Sequence, residues 1–359
     1  MSEEIFDVAV IGGAMSGSRT AELIAEKGHS VLLIEEHPQI GVPCKCTGLV
    51  SWRFHEVLPD FPKKLVVNTV NNAKFFAPNG KMLQLKSKNP VSVISRPGLD
   101  KFLFDHAKKA GAVAKTTERF LNFNYVNNGV EIKTDKSNYK AKLLIGADGA
   151  NSAVAKSARI QMPEKYLVGV QTTAEGNYDV DAVELWFGSE FSPKFFAWVV
   201  PENENIARIG LASKPSPMQY YKKFLEKRIG NFIKPDVGGV IRGGLIKTSV
   251  ANRVMLVGDA ACQIKPYSGG GITYGLIASQ FCADAAVVAL DNYNFTKEFL
   301  KKNYDSVWKN KLAMPIKRGS LLHKTISSPD LILNFLFTAA KAGKSLLNNL
   351  DMDLIDVFV

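Results

Sequence analysis

A glycine-rich turn near the start of the chain is the first feature with chemical potential. Residues 12–17 read GGAMSG and follow a short run of β-branched residues. Glu35 comes 23 residues after Gly12, at the end of the next predicted strand. Such a turn leaves backbone N–H groups at a helix N-terminus free for a pyrophosphate, and the carboxylate can accept a hydrogen bond from a ribose hydroxyl. Ala14 stands where a second glycine is usual, and its methyl group crowds the pyrophosphate. The pattern predicts a dinucleotide-binding turn, and a purely structural glycine turn is the alternative.

Three later segments carry related signals. Arg96 lies between a predicted strand and a predicted helix, and residues 146–152 (GADGANS) end another strand in small side chains. Residues 258–261 (GDAA) and the three glycines at 269–271 open a long apolar helix. A carboxylate, here Asp259, before a glycine-rich helix N-terminus can hold a polyol hydroxyl while the helix dipole faces an electron-rich ring. Taken singly, a surface ion pair explains the arginine and an ordinary strand-end turn explains residues 146–152.

The elements that must position these segments follow from hydrophobic periodicity and from turn residues. Strands are predicted at 7–11, 31–34, 119–126, 130–134, 142–145, 167–173, 183–187, 195–200, 207–212 and 254–257, with a hairpin turning at Asn79-Gly80. Helices are predicted at 18–27, 99–107, 218–233 and 272–290, and from 295 to the end with breaks at Pro315 and Pro329. Segments of nucleotide-binding character bracket a β-rich insertion. The predicted domains are therefore 1–60, 91–160 and 245–294 for a discontinuous nucleotide-binding domain, 61–90 and 161–244 for a β-rich substrate domain, and 295–359 for a helical region.

Composition narrows the class of protein. The 359 residues are 46% hydrophobic and carry a net charge of +11, so a packed core and anionic partners are expected. No zinc-finger spacing, basic heptad helix or aromatic RNA-binding motif is present, which argues against nucleic acid as a partner. Four cysteines make neither a disulfide framework nor a metal or iron–sulfur motif, and they indicate a reducing, cytoplasmic setting.

The order and strand contexts of the four segments together resemble the glutathione-reductase-like FAD domain of the p-hydroxybenzoate hydroxylase group. The resemblance covers most of the chain before the predicted helical region. It implies an α/β (α+β) fold with a Rossmann-like FAD-binding domain, an inserted β-rich substrate domain and a C-terminal helical segment. By the same resemblance Asp148 shapes the FAD site, and Lys156 replaces an arginine of many hydroxylases. The residues that it places around FAD are Gly12, Ala14, Ser16, Gly17, Glu35, Arg96, Asp259, Gly270, Gly271 and Ile272.

Two further segments resemble the geranylgeranyl reductase family within that group. Residues 42–51 (VPCKCTGLVS) are similar to its Pro-x-x-Cys segment, with Cys46 on the family cysteine. Residues 196–201 (FAWVVP) with 210–212 (GLA) are similar to its Tyr-x-Trp-x-Phe-Pro and Gly-x-Gly signature, although phenylalanine replaces the tyrosine, valine the phenylalanine and alanine the last glycine. The resemblance adds Cys46 and Thr47 to the FAD site and makes Cys46 the candidate catalytic group. It implies substrate contacts at Phe196, Trp198, Pro201 and Gly210.

The implied reaction is the saturation of isoprenoid double bonds in geranylgeranyl groups of archaeal-type ether lipids or of geranylgeranyl diphosphate. It needs a hydride at one carbon, a proton at the other and a dry apolar channel, whose walls Phe195, Phe196 and Trp198 would supply. Core packing is the alternative role of these aromatic side chains. Two other functions suit the same scaffold: an FAD-dependent aromatic monooxygenase, and an electron-transfer flavoprotein partner to quinone.

The sequence indicates the electron donor and other partners less precisely than it indicates the reaction. No second glycine loop of the nicotinamide type is visible, so ferredoxin, a deazaflavin or NADPH would each serve as the electron donor. A basic run at 220–234 and the basic side chains of the C-terminal helices suit peripheral contact with anionic lipid at the inner face of the membrane, or merely a solvated surface. Those C-terminal residues are Lys301, Lys302, Lys309, Lys311, Lys317 and Arg318.

Overall fold

The computed structural model describes residues 5–44, 46–214 and 216–342. Its strands, in chain order, are β1 (Ile5–Ile11), β2 (Val31–Ile34), β3 (Leu49–Val50), β4 (Val66–Phe76), β5 (Met82–Ile94), β6 (Val113–Lys115), β7 (Phe120–Val126), β8 (Gly129–Thr134), β9 (Asn138–Gly146), β10 (Tyr166–Glu175), β11 (Ala182–Phe187), β12 (Phe196–Pro201), β13 (Ile206–Ser213), β14 (Val237–Arg242), β15 (Val250–Ala251) and β16 (Val254–Leu256). The α-helices are α1 (Met15–Ala25), α2 (Arg53–Val57), α3 (Arg96–Lys109), α4 (Ala153–Ser157), α5 (Pro217–Ile229), α6 (Ile272–Asp291), α7 (Lys297–Leu300), α8 (Ser306–Ile326) and α9 (Asp330–Ala342). Short 3-10 turns occupy Lys63–Leu65 and Gly258–Ala261, and a π-helical turn, Lys301–Asp305, joins α7 to α8.

The first sheet carries the nucleotide-binding turn. Its central strands run β15-β16-β9-β1-β2-β6, and β9, β1, β2 and β6 are mutually parallel. The hydrophobic run of β1 and all four residues of β2 are buried, as expected for parallel strands covered on both faces. Because parallel strands end at the same edge, the turns after β1, β2 and β9 lie side by side there.

Close packing of α1 against α6 brings distant glycine segments to that edge. A Cβ added at Gly275 would lie 2.7 Å from Ser16 Oγ, and one added at Gly258 would lie 2.5 Å from the same atom. Ser279 Oγ, on α6, donates a hydrogen bond to the Ser16 carbonyl oxygen. The N-termini of α1 and α6 and the Gly258–Ala261 turn therefore meet because small residues allow their backbones to approach.

The second sheet is mainly antiparallel and runs β14-β10-β13-β12-β11-β4-β5-β3. One face packs on α5, through Ala197, Val199 and the buried rings of Tyr221 and Phe224. The opposite face carries the alternate side chains and is covered in part by the end of α8 and by α9.

The C-terminal helices differ from the sequence prediction at one proline. A break at Pro315 was expected, and this was wrong, because α8 continues through it. Trp308, Leu312 and Ile316 on the same helix are fully buried, so their burial offsets the roughly 3 kcal/mol that an interior proline costs. The break at Pro329 is confirmed, since it separates α8 from α9. The helix expected beyond Ala342 lies outside the described residues.

Most other predicted elements lie close to their predicted positions, and the structure adds short elements that were not predicted, among them β3, β6, β15, α2 and α4. The helix predicted to end at 233 ends at Ile229, because Gly230 takes up a left-handed conformation (φ 79°). The strand β14 was not predicted, since Gly238 and Gly239 interrupt its hydrophobic pattern, but it pairs with β10 over six residues. The domain boundaries stay a prediction.

One helix of the described part, α6, is long and apolar enough to cross a membrane by length and composition. About two thirds of that apolar stretch, 67%, is buried inside the protein. Tyr274, Ala278, Cys282 and Ala286 have no exposed surface, so α6 serves as a core helix of the nucleotide-binding region.

Candidate functional site

The turn between β1 and α1 forms a tight cradle. Gly12 has φ +108°, a conformation that favours glycine, and a Cβ there would meet the Ala147 carbonyl group. A Cβ at Gly17 would overlap the carbonyl oxygen of Gly12. Ala14, at the N-cap of α1, is exposed and makes no side-chain cap. The N-terminus of α1 thus reaches solvent at Ala14, and the positive end of the helix dipole there would stabilise an anionic group.

Glu35 lies beside this cradle at the end of β2. Its carboxylate accepts a hydrogen bond of 2.7 Å from the Gly13 backbone N–H, and another of 2.9 Å from the His37 backbone N–H. The His37 ring nitrogen Nδ1 lies 2.5 Å from the same carboxylate. His37 was not predicted, and its only sequence signal is its position two residues after the acidic side chain.

A buried ion pair lies under the N-terminus of α1. Arg96 Nη1 donates to Asp100 Oδ1 at 2.6 Å, and the same oxygen accepts from the Met15 backbone N–H at 2.7 Å. The Ser95 side chain caps α3, which begins at Arg96. Burial raises the pKa of the Asp100 carboxyl, and the Arg96 charge counteracts this. The Nε of Arg96 is buried and has no partner, so this arginine retains a donor for a further acceptor.

Asp259 lies at the bottom of a cleft. Its side chain is exposed to solvent, yet desolvation by the surrounding protein raises its pKa, against the opposing charge of Arg96. Solvent exposure and a raised pKa occur together in a carboxyl group that water reaches from one side only. A Cβ added at Gly271 would lie 2.8 Å from Asp259 Oδ1, so the carboxyl adjoins the N-terminus of α6.

The loop that carries Cys44 and Cys46 lies against this cleft. Cys46 packs against the cluster of Met15, Ile272 and Leu276. Its Sγ accepts a hydrogen bond of 3.4 Å from the Gly48 backbone N–H. The thiol of Cys44 donates to the Cys46 carbonyl oxygen, and burial raises the pKa of Cys44. Both cysteines are free, and Lys45 between them lies outside the described residues.

The cleft fits an FAD molecule by the chemistry of its donors. The cradle at Gly12 and Gly17 suits the pyrophosphate, Glu35 the adenosine ribose, and Asp259 a hydroxyl of the ribityl chain. The unpartnered Nε of Arg96 and the N-terminus of α6 would supply a hydrogen-bond donor and positive charge to the bound cofactor.

A transverse row of side chains leads away from the cysteine loop across the second sheet. Strand pairing places its members in direct register on five neighbouring strand pairs, from β10 to β5. In-register residues point to the same face, so these side chains form one continuous line. The row consists of Gln171, Gly210, Trp198, Leu185, Phe75 and Leu83. Gln171, Trp198, Leu185 and Phe75 are only half-buried, and the last three pack against the cluster under α9, so the row is the floor of a mainly apolar groove that α9 covers in part.

Comparisons with known proteins identify the family and the fold of this chain. A family described as "FAD binding domain" matches residues 6–210. The chain is 31% identical to a digeranylgeranylglycerophospholipid reductase of Methanosarcina acetivorans over 86% of this chain and 81% of that protein. A digeranylgeranylglycerophospholipid reductase 2 of Methanothermobacter thermautotrophicus is 30% identical over 89% of this chain and 88% of its own.

This chain belongs to the digeranylgeranylglycerophospholipid reductase family. It is an FAD-dependent oxidoreductase, as the resemblance of its motifs implied. Among solved structures, a geranylgeranyl bacteriochlorophyll reductase-like protein from Thermoplasma acidophilum has the same fold, with a TM-score of 0.86, 24% identity and coverage of 99% of this chain and 94% of that one. The predicted fold class and cofactor are thereby confirmed.

Within this reductase, a glutamine that was not predicted connects the cysteine loop to the groove. The Gln171 side-chain oxygen accepts from Thr47 Oγ1 at 2.6 Å and from the Trp198 indole N–H at 3.0 Å. Gly210 lies beneath the indole, since a Cβ there would come within 2.6 Å of Trp198 Cζ2. The indole is therefore held at a defined orientation beside Thr47. Nothing in the local sequence marks Gln171, which lies in an ordinary strand.

Arg208 is a second unpredicted residue of this junction. Its guanidinium donates hydrogen bonds to the backbone carbonyl oxygens of Thr47 and Ile94 and to the Glu202 carboxylate. It is almost fully buried, with 9% of its surface exposed. The strand β13 thereby carries both the glycine under Trp198 and the arginine that anchors the cysteine loop.

Two of the predicted substrate residues are not members of the row. Phe196 is buried, stacks on Phe195 at 4.2 Å between ring centroids and packs edge-on against Trp198 at 6.2 Å, so it lies on the same face as the row in the core under α9, and its substrate contact stays a prediction. Pro201 ends β12 pointing to the opposite face, and its carbonyl oxygen accepts from the Asn68 side chain. The Asp148 carboxylate accepts hydrogen bonds from the Ser152 hydroxyl and from the Val154 backbone N–H at the start of α4, and burial raises its pKa.

Proposed function

We propose that this enzyme saturates carbon–carbon double bonds of geranylgeranyl groups in membrane ether lipids of the archaeal type. The transverse row is the observation that carries the proposal. It begins at Gln171, which bonds to Thr47 next to Cys46, and continues over half-buried apolar side chains as far as Leu83. An extended apolar groove of this kind suits a long prenyl chain better than a compact aromatic substrate.

Reduced FAD, when bound, supplies the hydride for one carbon of the double bond. The remaining work falls to residues of this chain. Trp198, oriented by Gln171, holds the chain against the sheet, and the bound chain displaces water from the half-buried side chains of the row. Cys46, which packs against Met15 and Ile272 at the cleft, is the proposed donor of the proton to the second carbon.

A single-turnover experiment tests this function. Dithionite-reduced holoenzyme is mixed with a geranylgeranyl ether lipid in detergent, and the lipid is analysed by mass spectrometry. The expected products are heavier by two hydrogen atoms for each double bond reduced, with matching oxidation of the flavin. Flavin that stays reduced over unchanged lipid contradicts the proposal. Rapid oxygen-dependent NADPH oxidation stimulated by a phenol would instead favour the aromatic monooxygenase, and electron delivery to quinone with unchanged lipid the electron-transfer role.

A separate electron donor belongs to the proposal. The sequence contains no second glycine loop of the nicotinamide type, so ferredoxin, a deazaflavin and NADPH are the candidates. Mixing oxidised holoenzyme anaerobically with each candidate and following the bleaching of the flavin identifies the donor.

Peripheral contact with an anionic membrane, from the cytoplasmic side, is a further part of the proposal. On α9, Leu331 is 83% exposed and Phe335 72% exposed, and the neighbouring helix α8 presents exposed Lys317 and Arg318. Exposed apolar side chains beside basic ones suit an anionic lipid surface, to which each basic residue contributes about 1 kcal/mol. The basic helix α5 packs on the opposite face of the second sheet, so it does not share this surface.

Vesicle flotation tests the membrane contact. The double variant Leu331→Glu with Phe335→Glu should lose most of its binding to anionic vesicles. Leu121→Glu, which changes an exposed leucine of β7 in the first sheet, is the matched control and should bind like the unmodified enzyme. Equal binding by all three proteins would show that α9 does not contact lipid.

A further inference from the structure

A small cavity lies at the far end of the transverse row. It has a volume of about 140 Å³, between the beginning of β5 and the last turns of α9. Leu83, the last member of the row, and Phe337 form its apolar wall, and Lys81 and Lys341 stand at its rim. Phe337 also packs edge-on against Phe187, at 5.6 Å between ring centroids, so the cavity adjoins the apolar core under α9.

The charges around this cavity are of one sign. Both lysines are exposed, and the described residues that line the cavity include no acidic side chain. A larger cavity of about 400 Å³ lies at the other end of α9, where Asp330 is one of its lining residues. The Asp330 carboxylate there accepts hydrogen bonds from the backbone and side chain of Ser189. That larger cavity is lined by both Asp330 and Lys194, whose charges oppose each other, whereas the smaller cavity has two lysines and would attract an anion more strongly.

The spacing also fits a molecule with an apolar chain and an anionic end. The row crosses five strand intervals, which corresponds to about 24 Å at the usual distance between strands. Its one end meets Thr47 beside Cys46, and its other end meets the two ammonium groups. A prenyl chain lying along the row with its double bonds toward Cys46 would place its head at Lys81 and Lys341.

We propose that Lys81 and Lys341 form a binding site for the phosphate of the lipid substrate. The inference rests on the proposed function, because it assigns the head of the same prenyl lipid whose chain occupies the groove. The two lysines select for a phosphate-bearing lipid by increasing its affinity. Free phosphate and a lipid phosphate share the recognised chemistry, and only the lipid also fills the row.

The test compares a phosphate-bearing lipid with a neutral one. Digeranylgeranylglyceryl phosphate and digeranylgeranylglycerol are supplied in the same detergent micelles to the holoenzyme. The variant Lys81→Gln with Lys341→Gln should raise KM for the phosphate lipid about tenfold, the effect of losing a hydrogen bond to a charged group, and leave KM for the neutral lipid and kcat unchanged. Lys86→Gln with Lys88→Gln, two exposed lysines further along β5, is the matched control and should behave like the unmodified enzyme.

A binding measurement separates this site from the reaction itself. Diphytanylglyceryl phosphate and diphytanylglycerol have saturated chains, so their equilibrium binding to the holoenzyme is measured without turnover. Tighter binding of the phosphate form that disappears in the Lys81 and Lys341 variant supports the site, even if no lipid is reduced and the proposed function fails. Equal binding of both lipids by the unmodified enzyme overturns the site, even if geranylgeranyl lipids are reduced.

Two further arms identify the source of the phosphate. Inorganic phosphate alone should bind at least tenfold more weakly than the lipid phosphate, and equal binding would overturn the connection between the lysines and the row. Anionic vesicles without prenyl lipid form the other arm. In one outcome, the variant Lys81→Gln with Lys341→Gln loses vesicle binding but keeps its KM for the phosphate lipid in micelles. In that case the lysines would bind the membrane surface, and their assignment to the lipid phosphate would be wrong.

Discussion

The FAD cleft and the groove on the second sheet are built by different means. In the cleft, backbone groups and small residues do most of the work, and a single methyl group at Gly12 or Gly17 would collide with main-chain atoms. In the groove, five side chains and Gly210, from six neighbouring strands, form one line, and several of the side chains stay half-exposed. The cleft therefore tolerates little change in backbone geometry, whereas the groove depends on which side chains the register brings together.

Gln171 and Arg208 lie where the two regions meet. Gln171 bonds to Thr47 in the cysteine loop and to Trp198 in the groove, and Arg208 bonds to the backbone of Thr47 in that loop and of Ile94 at the end of β5. Changes in the cleft should thus affect FAD first, changes in the groove should affect turnover first, and changes at the junction should affect turnover mildly through the position of Trp198.

The largest expected effect is in the cleft. Gly17→Val places a side chain against the Gly12 carbonyl, so the cradle cannot close around a pyrophosphate. We expect nearly complete loss of FAD, measured as flavin absorbance per folded protein with circular dichroism as the check on folding. Gly28→Asn is the control, because Gly28 has open space around it and asparagine tolerates its positive φ. Stoichiometric FAD in the Gly17 variant would show that the turn between β1 and α1 does not bind FAD.

A smaller effect is expected in the groove. Trp198→Ala should lower kcat/KM for the lipid at least tenfold, about 1.4 kcal/mol of transition-state stabilisation, while FAD is retained. Trp186→Phe is the control on the neighbouring strand, since Trp186 stacks on Phe76 on the face that packs on α5. If the Trp198 variant instead loses FAD and retains its activity per bound FAD, the groove does not bind the substrate.

The smallest effect is expected at the junction. Gln171→Leu removes the acceptor for Thr47 Oγ1 and for the Trp198 indole N–H, at a cost of about 1 kcal/mol, or roughly fivefold in kcat/KM. Gln171→Glu keeps an oxygen at that place and should recover most of the activity. The position of the indole is followed by the fluorescence of Trp198 in the two variants. A leucine variant with unchanged turnover and fluorescence would separate the junction from catalysis.

Much of the fold and the cofactor site was predictable from local pattern. The βα turn at residues 12–17, Glu35 and the Gly258–Ala261 segment are short motifs whose strand and helix contexts are visible in the chain. Local pattern was misleading at Pro315, where burial of Trp308 and Ile316 outweighs the preference of proline, and at β14, where two glycines conceal a strand.

The sequence by itself determined that a glycine-rich βα turn suited to FAD exists and that Trp198 lies in a β-strand, because those properties depend on neighbours a few residues away. Only the tertiary structure decided that Gln171 bonds to Trp198, that Phe196 belongs to the core under α9, and that Lys81 and Lys341 meet at one cavity. The physical reason is strand register. Side-chain direction alternates with every residue, so the partner of a side chain depends on pairings between strands that are far apart in the chain.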